Sequence, residues 1–142
     1  MVNKSLLFGA FLGVMLFASL FGNIVAHEFG HWLVAEHYGL NPQMHLGESL
    51  GGEKANLFTA SFFTTYNAPV CTEQDIYVTF AGPLANILIA AGLFLAYKIM
   101  PRKTFRINML FLVLIVPAVL SAIVNLAPLP ASDGALILGY LR

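Results

Sequence analysis

Three stretches of this chain are too long and too apolar for an ordinary water-soluble domain. They run from Ser5 to Ala26, from Ile76 to Tyr97 and from Ile107 to Val124. Each meets the requirement of about 20 largely apolar residues for a helix that crosses a bilayer. Composition agrees, with 58% hydrophobic and 10% charged residues among 142, where globular domains carry about 25% charge. The expected fold class is an all-α polytopic membrane protein, a single domain over residues 1–142, integral to the lipid bilayer. The first run follows Lys4 as a signal peptide would. An h-region, however, covers only ~7–15 residues and ends at a small-residue cleavage site, which is missing here. The apolar pattern continues instead through Trp32, Leu33 and Ala35 to Gly39, a residue suited to ending a helix.

The net charge of zero and a pI near 6.9 supply no basic field, and no reader motif is present, so nucleic acid is excluded as a partner. Cys71 is the only cysteine. It rules out an intrachain disulfide and a thiolate metal cluster, and reads as a packed free thiol. Between the first two spans, Leu40 to Asp75 is the one sizeable polar segment. Its "SLGGEKA" is a turn signal between flanks rich in strand formers, "QMHLG" and "NLFTASFFTTY", which predicts a small β-hairpin. That hairpin is apolar enough to dip into the membrane interface, provided its backbone pairs internally.

Chemistry begins with "HEFGH", residues 27–31. Residues four apart share a helix face, so His27 and His31 can present imidazole nitrogens to one Zn²⁺, with Glu28 beside them as general base. Zinc lowers the pKa of its bound water to about 7, and a neighbouring carboxylate can take that proton and pass it to a leaving amine. The bland alternative is a pair of interfacial histidines that hydrogen-bond adjacent helices. Ionisable groups inside a span are costly and functional by default, which favours the metal.

A catalytic zinc takes three protein ligands and leaves a fourth position open. His37, six residues beyond His31, falls on a largely different helical face, while Glu48 and Glu53 sit in the hairpin segment. The stronger candidate is Asp133 in "NLAPLPASDGALI", residues 125–137, where Pro128 and Pro130 must open the helix. The third span is thus expected to break near its end and restart as a helix after an unwound, ligand-bearing segment. The alternative is a plain helix end with Asp133 as N-cap.

Topology allows the pairing. Spans one and three run in the same direction, from the N-terminal side, X, to the hairpin side, Y. At ~1.5 Å per residue His27 and Asp133 both fall towards Y. Span two enters from Y, and its "AGPLAN", residues 81–86, reaches a similar depth. There Gly82 permits close approach, Pro83 loosens the backbone, and Asn86 needs a polar partner. Helix packing by small residues and a direct role at the site are both open for that segment.

Together these motifs resemble the site-2 protease family of intramembrane zinc metalloproteases. The resemblance rests on HEFGH with Ala35 and Gly39 following, on AGPLAN, and on Asn125 preceding Asp133-Gly134 in a proline-containing break. It implies a minimal three-helix catalytic core with zinc on His27, His31 and Asp133, and Glu28 as catalytic base. It further implies Asn125 as a substrate-binding or oxyanion residue, a role for which Asn86 is a second candidate by its depth in span two, and a hairpin that pairs with an unwinding substrate. The substrate would be a transmembrane protein, cut in or next to its membrane segment, and a regulatory or scaffold membrane partner has a place beside so small a core. Ser132 and Ala135 depart from the family pattern, where leucine and glycine are usual.

Charges predict an orientation. Side X carries Lys4, Lys98, Arg102, Lys103 and Arg106, which places X in the cytoplasm, whereas the resemblance implies an active site nearer the cytosol. Two other functions are consistent with these elements. A non-catalytic adaptor that binds transmembrane helices would often have lost Glu28 or a ligand, and all are retained. A metal or proton conduit needs polar groups continuing towards X, where span one offers only Ser19 and Asn23.

Overall fold

A computed structural model describes residues 3–48, 61–69, 72–130 and 132–141, except for the side chains at 46–48 and 61. The turn expected in "SLGGEKA", together with Glu53 and Cys71, lies outside the described residues, as does the side chain of Glu48. The three apolar stretches are helices: α1 (Lys4–His37), α2 (Glu73–Ile99) and α3 (Phe105–Leu126). All three are long and apolar enough to cross a membrane. Two strands, β1 (Gln43–Glu48) and β2 (Ser61–Thr65), lie between α1 and α2, and a short α4 (Asp133–Tyr140) follows α3.

Local sequence explains the boundaries. Asn3, Thr72, Thr104 and Ser132 cap the four helices, each accepting from a backbone N–H in the first turn. The end of α1 is a Schellman motif. Gly39 turns left-handed at φ +68°, its N–H bonds Glu36 O at 2.9 Å, and Leu40 N–H bonds Ala35 O at 3.0 Å. Leu40 then packs with Ala35 and Val78 in a small apolar cluster, which directs the chain back over the helices. Antiparallel pairing of β1 and β2 sets His45 opposite Phe63 and Met44 opposite Thr64, with an irregularity between Leu46 and Glu48 that leaves Gly47 as the extra residue of a bulge.

Pro83 and Pro117 lie inside α2 and α3 without ending them. Each removes one N–H and crowds the preceding turn, and before Pro117 another helix engages that turn. Ser19 Oγ donates to Leu114 O at 3.2 Å across the α1–α3 contact. At the end of α3 the outcome differs, because Pro128 and Pro130 follow within four residues of Leu126 and the helix stops. Helix resumes at Asp133, and the N-cap is Ser132 rather than Asp133. Asp133 therefore occupies the first helical position, with its carboxylate released from capping.

The packing of the three long helices inverts the soluble pattern. Leu6, Val14, Phe17, Leu95 and Ile99 are exposed, while Asn23, His27, Glu28, His31, Asp75, Thr79, Asn86 and Ser132 are buried. The apolar interior is small and mostly alanine. Polar groups sit where the helices meet.

Candidate metal centre

Four residues on α1 share one side of the helix at intervals of four: Asn23, His27, His31 and Ala35, all buried. This face meets α2 at Gly82. A Cβ there would fall 2.6 Å from His31 Cε1 and 2.8 Å from His27 Cε1, so only glycine lets α2 approach the imidazoles this closely. One turn earlier on α2, the Val78 carbonyl faces His31 Nδ1 at 2.7 Å. A carbonyl only accepts, so Nδ1 carries the hydrogen and the Nε2 lone pair points into the site.

His27 Nε2 and His31 Nε2 lie 3.1 Å apart. Asp133 Oδ2, brought in by α4, stands 3.0 Å from the first and 3.5 Å from the second. Residues about a hundred positions apart thus converge on one point. Although within ion-pair range of both imidazoles, Asp133 Oδ2 is buried and receives no hydrogen bond of good geometry. Two imidazole nitrogens and a carboxylate oxygen this close need positive charge among them, either protons or a metal ion. Around a tetrahedral centre with bonds near 2.0–2.1 Å, ligand atoms lie about 3.3 Å apart, and the three observed separations bracket that value. The donors and their spacing could hold a metal ion.

Glu28 belongs to the same cluster. One carboxylate oxygen of Glu28 and a nitrogen from each of His27 and His31 lie within 4.8 Å of one another, a His/Glu/His group that could hold a metal ion. Asp133 approaches the nitrogens more closely than this bound requires of Glu28. The triangle with Asp133 is the tighter of the two groupings, and the Glu28 carboxylate lies beside it.

A cavity of about 340 Å³ opens above these groups, within the range of small-ligand sites. His27, Glu28, His31 and Asp133 line it together with Phe62, Phe63 and Thr64 of β2. The strand is fastened to α1 by Thr64 Oγ1, which donates to Glu28 O at 3.0 Å, and by an edge-on contact between Phe62 and Phe21. Asn125 also lines the cavity, its Nδ2 donating to Ser121 O at 2.9 Å.

Asn86 sits differently from the expectation that it contacts substrate. It has no exposed surface, and it is not among the described residues around the cavity. Its amide lies behind His27, 3.3 Å from Nδ1, and 2.7 Å from Ser121 Oγ. Of the other residues weighed as ligands, His37 is exposed at the end of α1, away from the cavity lining.

A second polar knot had no signal in the sequence. Tyr66 Oη donates to Asp75 Oδ1 at 2.8 Å and Tyr140 Oη to Asp75 Oδ2 at 2.7 Å. Asp75, near the start of α2, thereby ties the segment after β2 to the far end of α4, whose first residue is Asp133. Burial pushes the Tyr66 phenol well above its ordinary range, and the Asp75 carboxylate acts in the same direction. Tyr66 stays a neutral donor.

Comparison of the chain with protein-family models, curated proteins and solved structures yields no match in any of the three.

Proposed function

We propose that this chain is a polytopic integral membrane zinc metalloprotease of the site-2 type, hydrolysing a peptide bond in or near a transmembrane segment of a membrane protein. The observation that carries the reading is the triangle of His27 Nε2, His31 Nε2 and Asp133 Oδ2, with the Glu28 carboxylate beside it in a strand-walled cavity. The sequence resemblance built on HEFGH, AGPLAN and Asn125 with Asp133-Gly134 supports it independently.

His27, His31 and Asp133 would hold the zinc, which when bound supplies Lewis acidity and an acidified water. Glu28 is the general base that accepts the proton of the attacking water and returns it to the leaving amine. Glu28 is buried beside the cavity, and Thr64, bonded to the Glu28 carbonyl, fixes β2 against the reacting groups. Asn125 offers its amide to the peptide from the α3 side. A helical substrate hides its carbonyls in i to i−4 bonds, so the scissile segment must unwind first. Pairing with the hairpin holds it extended and supplies main-chain affinity with little side-chain selectivity.

The test uses the purified full chain in detergent, with zinc measured by elemental analysis and cleavage measured on a model transmembrane substrate. The wild type is expected to hold zinc stoichiometrically and to cut. Glu28→Gln keeps the zinc and loses about 10²–10⁴-fold in rate, while Asp133→Ala loses both. Zinc that survives Asp133→Ala overturns the third ligand. Zinc binding without any cleavage is the signature of the adaptor, and equal cleavage by Glu28→Gln sinks the enzyme mechanism.

A further inference from the structure

The two histidines are oriented by unlike partners. His31 Nδ1 faces a main-chain carbonyl, Val78 O, which can only accept. His27 Nδ1 faces the Asn86 amide at 3.3 Å, which can accept or donate according to which of its ends is turned inward. Asn86 is wholly buried, and the same end of its amide lies 2.7 Å from Ser121 Oγ.

With Nδ2 at that end, His27 Nδ1 must accept, so the ring hydrogen moves to Nε2. It then enters the cluster, where His31 Nε2 is 3.1 Å away and Asp133 Oδ2 3.0 Å away, and competes with any cation. The opposite end of the amide is buried without a partner, so the contacts with His27 and Ser121 are what set its orientation. A carboxamide has nearly the same shape with oxygen and nitrogen exchanged. In the exchanged orientation Oδ1 accepts from both His27 Nδ1–H and Ser121 Oγ–H. Ser121 Oγ can in turn accept from Asn125 Nδ2, 3.4 Å away. Donors and acceptors then alternate from the cavity residue Asn125 to His27, whose Nε2 keeps its lone pair.

We propose that Asn86 is a positioning residue that holds His27 in the tautomer a metal ligand requires, by accepting the Nδ1 hydrogen through Oδ1. Ligating histidines almost always donate their second N–H to an oxygen, and on α2 this residue supplies it. The inference rests on the zinc reading of the site.

Zinc affinity of the full chain in detergent, measured by chelator competition, tests it. Asn86→Leu should weaken zinc by about 10–100-fold. Asn86→Asp should bind at least as tightly as the wild type, because a carboxylate accepts from Nδ1–H and cannot donate. In ¹⁵N-histidine spectra of the zinc-free wild type with its imidazoles neutral, His27 Nδ1 should already be the hydrogen-bearing nitrogen. These spectra and the Asp variant decide the matter even if Asn86→Leu fails to fold. Weakening by Asp equal to that by Leu overturns the proposal, as does unchanged affinity in a folded Leu variant or a bare Nδ1. A wild type that binds no zinc overturns the metalloprotease reading beneath it. A zinc-binding wild type with an indifferent Leu variant overturns this inference alone.

Discussion

From Lys4 to Gly22, α1 buries no residue, whereas from Asn23 onwards it buries six, four of them polar or ionisable. Both stretches belong to one uninterrupted helix, so backbone preference cannot distinguish them. The first half presents Leu6, Val14 and Phe17 outward and meets the rest of the fold through residues such as Ser19 and Phe21, and the second buries Asn23, His27, Glu28 and His31. The first half thus presents a face suited to an apolar surrounding. The second needs exact neighbours, because a buried polar group without a partner is costly.

The largest expected effect strikes the outward half. Phe17 is 73% exposed, which in water would make it an indifferent position. If lipid surrounds it, Phe17→Arg should disfavour membrane insertion by about 2.5–3.5 kcal/mol, read as the integrated fraction after alkaline extraction. Unchanged integration would show that this half of α1 is covered by something other than lipid.

Next in size is Gly30→Ala, in the inward half. An added Cβ would lie 2.6 Å from Ala81 O and 3.1 Å from Ala85 Cβ. The first neighbour is main chain and cannot rotate away, so the α1–α2 contact must open. Overpacking of this kind costs about 1–3 kcal/mol, visible as a lower melting temperature in detergent. Because the same contact sets His31 against Val78 O, zinc affinity should fall with it. A variant that melts and binds zinc like the wild type would mean that the helices are not in contact at Gly30.

The inward half was legible in the sequence where its logic is local. His27 and His31 share a face by spacing alone, and the opening of the chain before Asp133 follows from two prolines. Asn86 was legible as a polar group needing a partner, but not as one placed behind His27, since nothing in AGPLAN records which helix its amide faces. The Tyr66–Asp75–Tyr140 knot was invisible for a related reason. Asp75 reads as an ordinary acid near a helix start, and its two phenols lie 9 and 65 positions away with no periodicity to link them. Short-range rules see helix faces and helix breaks, while convergence of side chains from separate elements appears only with the fold.

The smallest expected effect returns to the outward half and reverses sign. A Cβ added at Gly13 meets nothing within 4 Å, in contrast to Gly30 on the same helix. Glycine in a helix interior is worse than alanine by roughly 0.5–1 kcal/mol through chain entropy. Gly13→Ala should therefore stabilise the detergent-solubilised chain slightly and leave the proposed zinc affinity unchanged, because Gly13 is remote from the candidate ligands His27, His31 and Asp133. A melting temperature lowered by Gly13→Ala would mean that another helix, from a second copy or a membrane partner, lies against the outward half at that glycine. Lipid alone would not object to one methyl group, so the sign of this small shift separates lipid from protein as the neighbour of residues 4–22.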